Sequence, residues 1–139
     1  MKRFIWAWLV YTWGGLHRYF GNKNNLSSEH EAAVRFFTRA YEIDPSFRRV
    51  RLERGILLWR ELGRADEALA DFDALLAEDD GYGPALLNRA MVAQDQGRYE
   101  AALADLDAFL LLEEGEGQAY REQAKRTATI LRELTNAGT

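Results

Sequence analysis

Two isolated histidines, a repeated pair of aspartates and a run of arginines are the side chains of this sequence whose types could support chemistry. His17 and His30 belong to no H-E-x-x-H metal motif, and no serine or cysteine elbow and no phosphate-cradling glycine loop stands with them. His17 is expected on a helix at a junction between repeats, and His30 on the surface of an early helical turn. Asp71, Asp73, Asp105 and Asp107 form an acid row that would suit calcium if its members converged. Residues two apart on a helix point in different directions, and no D-x-D-x-D-G loop is present, so a solvated outer face is the expectation. Arg48, Arg49, Arg51 and Arg54 crowd the start of a helix, where positive charge opposes the macrodipole. Their plain reading is a solvated helix start. The net charge of -4 and the absence of any DNA- or RNA-binding motif argue against a nucleic-acid partner. No catalytic residue, metal or cofactor is expected.

The elements that must position these side chains are announced by a repeat. Gly63-Arg64-Ala65-Asp66-Glu67-Ala68-Leu69-Ala70-Asp71 returns 34 residues later as Gly97-Arg98-Tyr99-Glu100-Ala101-Ala102-Leu103-Ala104-Asp105. A period of that length marks a supersecondary unit that cannot bury its own apolar face and stacks on copies of itself. Apolar residues make up 47% of the chain and charged residues 29%, which is the balance of a core-forming globular chain. The 139 residues amount to a single domain, and the lack of cysteine removes disulfides, thiolate chemistry and cysteine zinc sites and favours the cytoplasm. Charge is unevenly spread: residues 1–64 carry 12 Lys/Arg against 6 Asp/Glu, and residues 65–139 carry 6 against 16. Halves of opposite sign favour head-to-tail contact or a partner of one sign.

Along the chain, Lys2 and Arg3 precede an uncharged stretch from Phe4 to Leu16 that is shorter than the roughly 20 residues of a membrane span. It predicts a first helix ending near Phe20, followed by a loop at Gly21–Asn25. Gly14-Gly15 signals a loop or close packing. Ser28-x-x-Glu31 has the form of a capping box opening a second helix, with Ala33, Phe36, Phe37 and Ala40 at helical spacing, which Asp44-Pro45 stops. Further helices are predicted over 48–62 with Leu52, Ile56, Trp59 and Leu62 as the apolar stripe, then 66–78, a fifth opened by Pro84, 99–112, and 118–134, with a turn at Glu113–Gly117. The last helix pairs an apolar side (Tyr120, Ala124, Ala128, Leu131) with a charged one.

These residues resemble the tetratricopeptide repeat. Ala33-x3-Phe37-x2-Ala40 with Pro45, Ala68-x3-Phe72 and Ala102-x3-Leu106 match its helix B, and Gly63 and Gly97 match the turn between its helices. Trp13-x2-Leu16-His17-x2-Phe20 fits helix A of a first repeat if the following loop has gained about four residues, with His17 where the family has a small residue. Arg54-Gly55 and Arg89-Ala90 fit the second and third, although Gly55 to Gly63 is one residue longer than expected, as a bulge in the helix or a longer turn. The resemblance implies an all-α, right-handed α-solenoid of three helix pairs plus a C-terminal capping helix, in one domain: a divergent first repeat over 1–47, a second over 48–82, a third over 83–116 and a cap over 117–134.

It further implies a non-catalytic adaptor or scaffold that binds a protein or peptide segment, of acidic character, in a concave groove lined by helix A. Carried over by position, the groove residues are Arg49, Glu53, Arg60, Asn88, Met91, Asp95, Arg121 and Lys125. An alternative follows from the first helix, where Trp6, Trp8, Tyr11 and Trp13 leave little room for a polar face. That helix would then be a homo-oligomer, partner or lipid interface, and the protein an assembly or membrane-peripheral element.

Overall fold

The computed structural model describes residues 1–113 and 117–138. Among them are seven α-helices and a 3-10 turn: α1 Lys2–Asn24, α2 Ser27–Ile43, α3 Arg48–Arg60, α4 Ala65–Glu78, α5 Gly83–Asp95, α6 Tyr99–Leu111, a 3-10 helix Gln118–Tyr120, and α7 Arg121–Ala137. The expected turn at Glu113–Gly117 lies mostly outside the described residues. The chain divides into two compact units, residues 1–71 and 72–139, with the boundary inside α4.

In the first unit α1 packs along α2, and α2 along α3. Ala33, Phe37, Ala40, Val50 and Leu57 form the buried centre, and Val10, Tyr11, Val34, Tyr41 and Phe47 pack against it. The first helix runs one turn beyond Phe20 and closes at Asn25, whose left-handed backbone (φ 52°) lets Leu26 N–H reach the Gly21 carbonyl at 3.1 Å. The expected longer loop does not form. The extra residues are helical instead, α2 running 17 residues against 14 in α4 and 13 in α6. Nor does the Ser28–Glu31 capping box: α2 starts at Ser27 behind Leu26 with no side-chain cap, and Glu31 accepts from Arg64 at 3.0 Å.

Small residues let α1 approach α2. Ala7, Gly14 and Gly21 are buried at seven-residue spacing. A Cβ on Gly14 would lie 2.8 Å from the Phe37 ring, and one on Gly21 2.5 Å from the His30 ring. His17 is therefore not the residue of closest approach. Helix α3 is buried around much of its circumference, at Val50, Leu52, Glu53, Gly55, Leu57 and Leu58, rather than along a stripe through Ile56, Trp59 and Leu62. Pro45 follows the end of α2, and Pro84 sits in the first turn of α5.

In the second unit α5 packs on α6 and α6 on α7. Its buried side chains include Phe72, Leu86, Leu106, Phe109 and Leu131, with Ala90, Ala93, Ala102 and Ala128 where helices close in. Tyr120, expected on the inner side of the last helix, is exposed. The α5–α6 turn has Gly97 at φ +72°, with Gly97 N–H on the Gln94 carbonyl and Arg98 N–H on that of Ala93. The α3–α4 turn has Gly63 at φ +65°, but Arg64 N–H reaches back six residues to Leu58 instead of five. The additional residue between Gly55 and Gly63 is thus absorbed in a wider turn, and α3 carries no bulge.

Candidate interaction surfaces

Arg51 and Arg54 of α3 and the aspartates Asp71 of α4 and Asp105 of α6 are not the solvated surface groups expected of them, whereas Arg48, Arg49 and Asp73 are exposed as expected. Asp71 is buried, and its carboxylate accepts from Arg54 Nε (2.8 Å), from Arg54 Nη2 and from Arg51 Nε (3.2 Å). Arg51 also donates to the Tyr41 hydroxyl and Arg54 to Thr38 Oγ1. Asp71 holds the Arg54 guanidinium above its ordinary pKa. In the second unit Arg89 grips Asp105 through Nε (2.8 Å) and Nη2 (2.7 Å), and its Nη1 reaches Asp73 (2.9 Å). Asp107 pairs with Arg132. In each D-x-D, then, the first aspartate clasps an arginine of the preceding helix, and the second, turned about 200° away, meets an arginine of the following one. Sequence reasoning had each partner but not the pairing. The available signal was that arginine leads both the Arg54-Gly55 and the Arg89-Ala90 pair while aspartate recurs at the 34-residue period.

Of the first three groove candidates, Arg49 pairs with Glu53, and Arg60 lines a cleft with Glu53. Glu53 is buried on α3 and accepts from Tyr11 Oη (2.9 Å), Arg49 Nε (2.9 Å) and Arg18 Nη1 (2.8 Å). Burial first, and the Glu53 carboxylate second, push the Tyr11 phenol above its ordinary pKa, so it remains a donor. Glu53 likewise raises the Arg49 guanidinium. Beside this cluster lies a cleft of about 240 Å³ lined by Arg18, Asn22, Glu53, Ile56, Leu57, Arg60 and Glu61. Its walls are α1 and α3, and its charges are of both signs.

In the second unit Asn88, Met91 and Asp95 share one side of α5 at spacings of three and four. Asn88 Nδ2 donates to the Pro84 carbonyl, Met91 is partly exposed, and Asp95 is exposed. On α7, Lys125 pairs with Glu122. Arg121 donates to the carbonyls of Leu110 (2.7 Å) and Leu112 (2.9 Å), so its guanidinium satisfies the open C-terminus of α6.

Of the α1 aromatics, Trp6, Trp8 and Trp13 are 64%, 48% and 56% exposed. Tyr11 is placed apart from them, its ring against Phe37 and Phe47. His17 stacks on Phe36 and contacts Glu29 Oε2 through Nδ1 at 2.6 Å. His30 departs from its expected surface position: it is buried, its Nε2 2.8 Å from Asn22 Oδ1 and its ring in the space Gly21 leaves. No helix among the described residues is long and apolar enough to cross a membrane.

The arrangement of paired helices with glycine turns and alanine contacts has a solved counterpart. An Arabidopsis OM64 TPR domain superposes with a TM-score of 0.66 at 22% identity, over 89% of this chain and 98% of that one. The chain has the tetratricopeptide-repeat fold. No protein-family profile and no curated protein sequence matches it. Within that fold, the resemblance read from Ala33, Ala68 and Ala102 holds: all three are fully buried at helix contacts.

Proposed function

We propose that this tetratricopeptide-repeat chain is a non-catalytic cytoplasmic adaptor, one domain of three repeats and a cap over 1–47, 48–82, 83–116 and 117–134, that binds a protein or peptide segment along its helix A residues. The observation that carries the reading is the cleft between α1 and α3. Glu53 is held rigid by Tyr11, Arg18 and Arg49, and Arg60 and Glu61 complete a rim of both signs. Rigid polar groups beside the apolar surface of Ile56 suit an extended or helical segment that offers both an acidic group and backbone N–H donors. Asn88, Met91, Asp95 and Lys125 are the further contact candidates. Arg121, already committed to carbonyls, serves the fold first.

Affinity capture with the intact chain tests the reading, comparing Arg60→Glu and Asn88→Ala with the control Arg98→Glu. Loss of the same bound protein in the first two, with the melting temperature unchanged and the control intact, is expected. Retention of that protein by both groove variants refutes the assignment.

A further inference from the structure

The outward face of α1 is built for something other than the core of this chain. Trp6, Leu9, Trp13, Leu16 and Phe20 recur at spacings of three and four, and each is at least 42% exposed. Ile5, Trp8 and Tyr19 widen the stripe on one side. The single polar residue within it, Thr12, donates its hydroxyl to the Trp8 carbonyl (2.8 Å) and so makes no demand on a partner. At 100° per residue these positions sweep about 160° of the helix. The opposite side is the seam of Ala7, Gly14 and Gly21 against α2.

The spacing alone would suit a second copy of α1 in a coiled coil, and two further observations decide against it. A two-helix seam covers little more than the a and d positions, and here four of the seven heptad positions are exposed and apolar. The charges are of one sign as well. Residues 1–28 contain Lys2, Arg3, Arg18 and Lys23 and no acidic residue. Arg18 is paired with Glu53 and Arg3 lies within electrostatic reach of Asp44, whereas Lys2 and Lys23 are exposed at the two ends of a helix about 34 Å long. Two copies in either orientation would set Lys2 near Lys2 or near Lys23 with no carboxylate between them. A plane of anionic headgroups meets both ends at once, and tryptophan and tyrosine favour that water–hydrocarbon boundary.

We propose that α1 lies flat on an anionic membrane surface, inserting Trp6, Trp8, Leu9, Trp13, Leu16 and Phe20 to the level of the acyl boundary with Lys2 and Lys23 against the headgroups. The helix rests on the bilayer and does not span it. The proposal goes beyond the groove and stands or falls independently of it.

Flotation of the full chain with phosphatidylcholine vesicles, with and without phosphatidylglycerol, tests this. Expected are flotation with the anionic vesicles only, a blue shift of tryptophan emission, and loss of binding as salt rises. Trp6→Ser with Trp13→Ser should weaken partitioning about tenfold or more, since two large aromatic faces are withheld. Lys2→Gln and Lys23→Gln should each weaken it roughly fivefold, about 1 kcal/mol per basic residue. All four positions are exposed, so circular dichroism should be unchanged. Failure to float with either vesicle overturns the proposal, as does equal binding to neutral and anionic vesicles. So does a stable dimer in which Trp13 is shielded from aqueous quencher, because a second copy then covers the face.

Discussion

Replacing Asp71 by alanine separates the buried ion pair from a surface charge most sharply. The carboxylate is 3% exposed and accepts three hydrogen bonds from Arg51 and Arg54, whose side chains are 21% and 19% exposed. Truncation leaves two guanidiniums facing an apolar hole. Removing one partner of a fully buried pair costs about 3–5 kcal/mol. Because both arginines keep an edge in water and retain Tyr41 and Thr38 as partners, the low end applies, about 3 kcal/mol. For a chain of this size that is a fall in melting temperature of roughly 10 °C.

The control is Asp73→Ala, two residues away in the same row. Asp73 is 61% exposed and accepts one hydrogen bond from Arg89, so its loss should cost less than about 1 kcal/mol. Paired urea and thermal melts of the two variants, at equal ionic strength, read the difference. A double variant Arg54→Met/Asp71→Leu should recover part of the loss, since a buried pair replaced by packed apolar groups is near neutral while Arg51 keeps only Tyr41 as its partner. If Asp71→Ala and Asp73→Ala lose the same small amount, the row is a solvated face after all.

Other expectations follow from the same contacts. Gly97→Ala places a side chain at φ +72° and should cost about 1 kcal/mol in a urea melt, with no van der Waals clash to add to it. Gly21→Ala drives a methyl into the His30 ring and should cost more, about 1–3 kcal/mol, partly restored by His30→Ala. Tyr11→Phe removes one of three donors to Glu53 and should lower stability by about 1 kcal/mol. On acidification, Asp44, held low by the Ser46 hydroxyl and N–H, and Glu67 and Glu122, held low by Arg64 and Lys125, have folded pKa values below their unfolded ones. Their stabilisation is complete above about pH 5 and is lost as pH falls through the folded values; carboxyl titration by NMR should place each midpoint below that of the same residue in the unfolded chain.

Helix order was legible because its signals are local. Gly63 and Gly97 stop helices, Pro45 and Pro84 forbid or favour particular turns, and the alanines recur with the repeat. What failed to read needed the phase of one helix against another. Whether Asp71 or Asp73 points inward depends on the rotation of α4 relative to Arg54, and the period of 34 says nothing of that. His30 follows the same logic: a histidine three residues into a helix reads as surface until Gly21 opposite it is known to leave room. The position of the extra residue near Gly63 was undecidable for a different reason, since a bulge and a wider turn have the same length in sequence.

Helix α1 inverts the usual economy of a core. It buries Ala7, Gly14 and Gly21 and leaves Trp6, Trp8 and Trp13 in water, although burying a large aromatic contributes far more than burying a methyl. Helix α7 follows the usual rule, with Ala124, Ala128 and Leu131 inward and Glu122, Lys125, Arg126 and Arg132 outward. The small-residue seam explains the close approach of α1 to α2, because only small residues admit the Phe37 and His30 rings, and Val10 and Tyr11 pack on the core beside it. Nothing in that packing requires tryptophan on the other side, where lysine or glutamate would fold as well and dissolve better. Under the membrane proposal the aromatic face answers to a second surface, and the two lysines at its ends set the sign of charge expected of that surface.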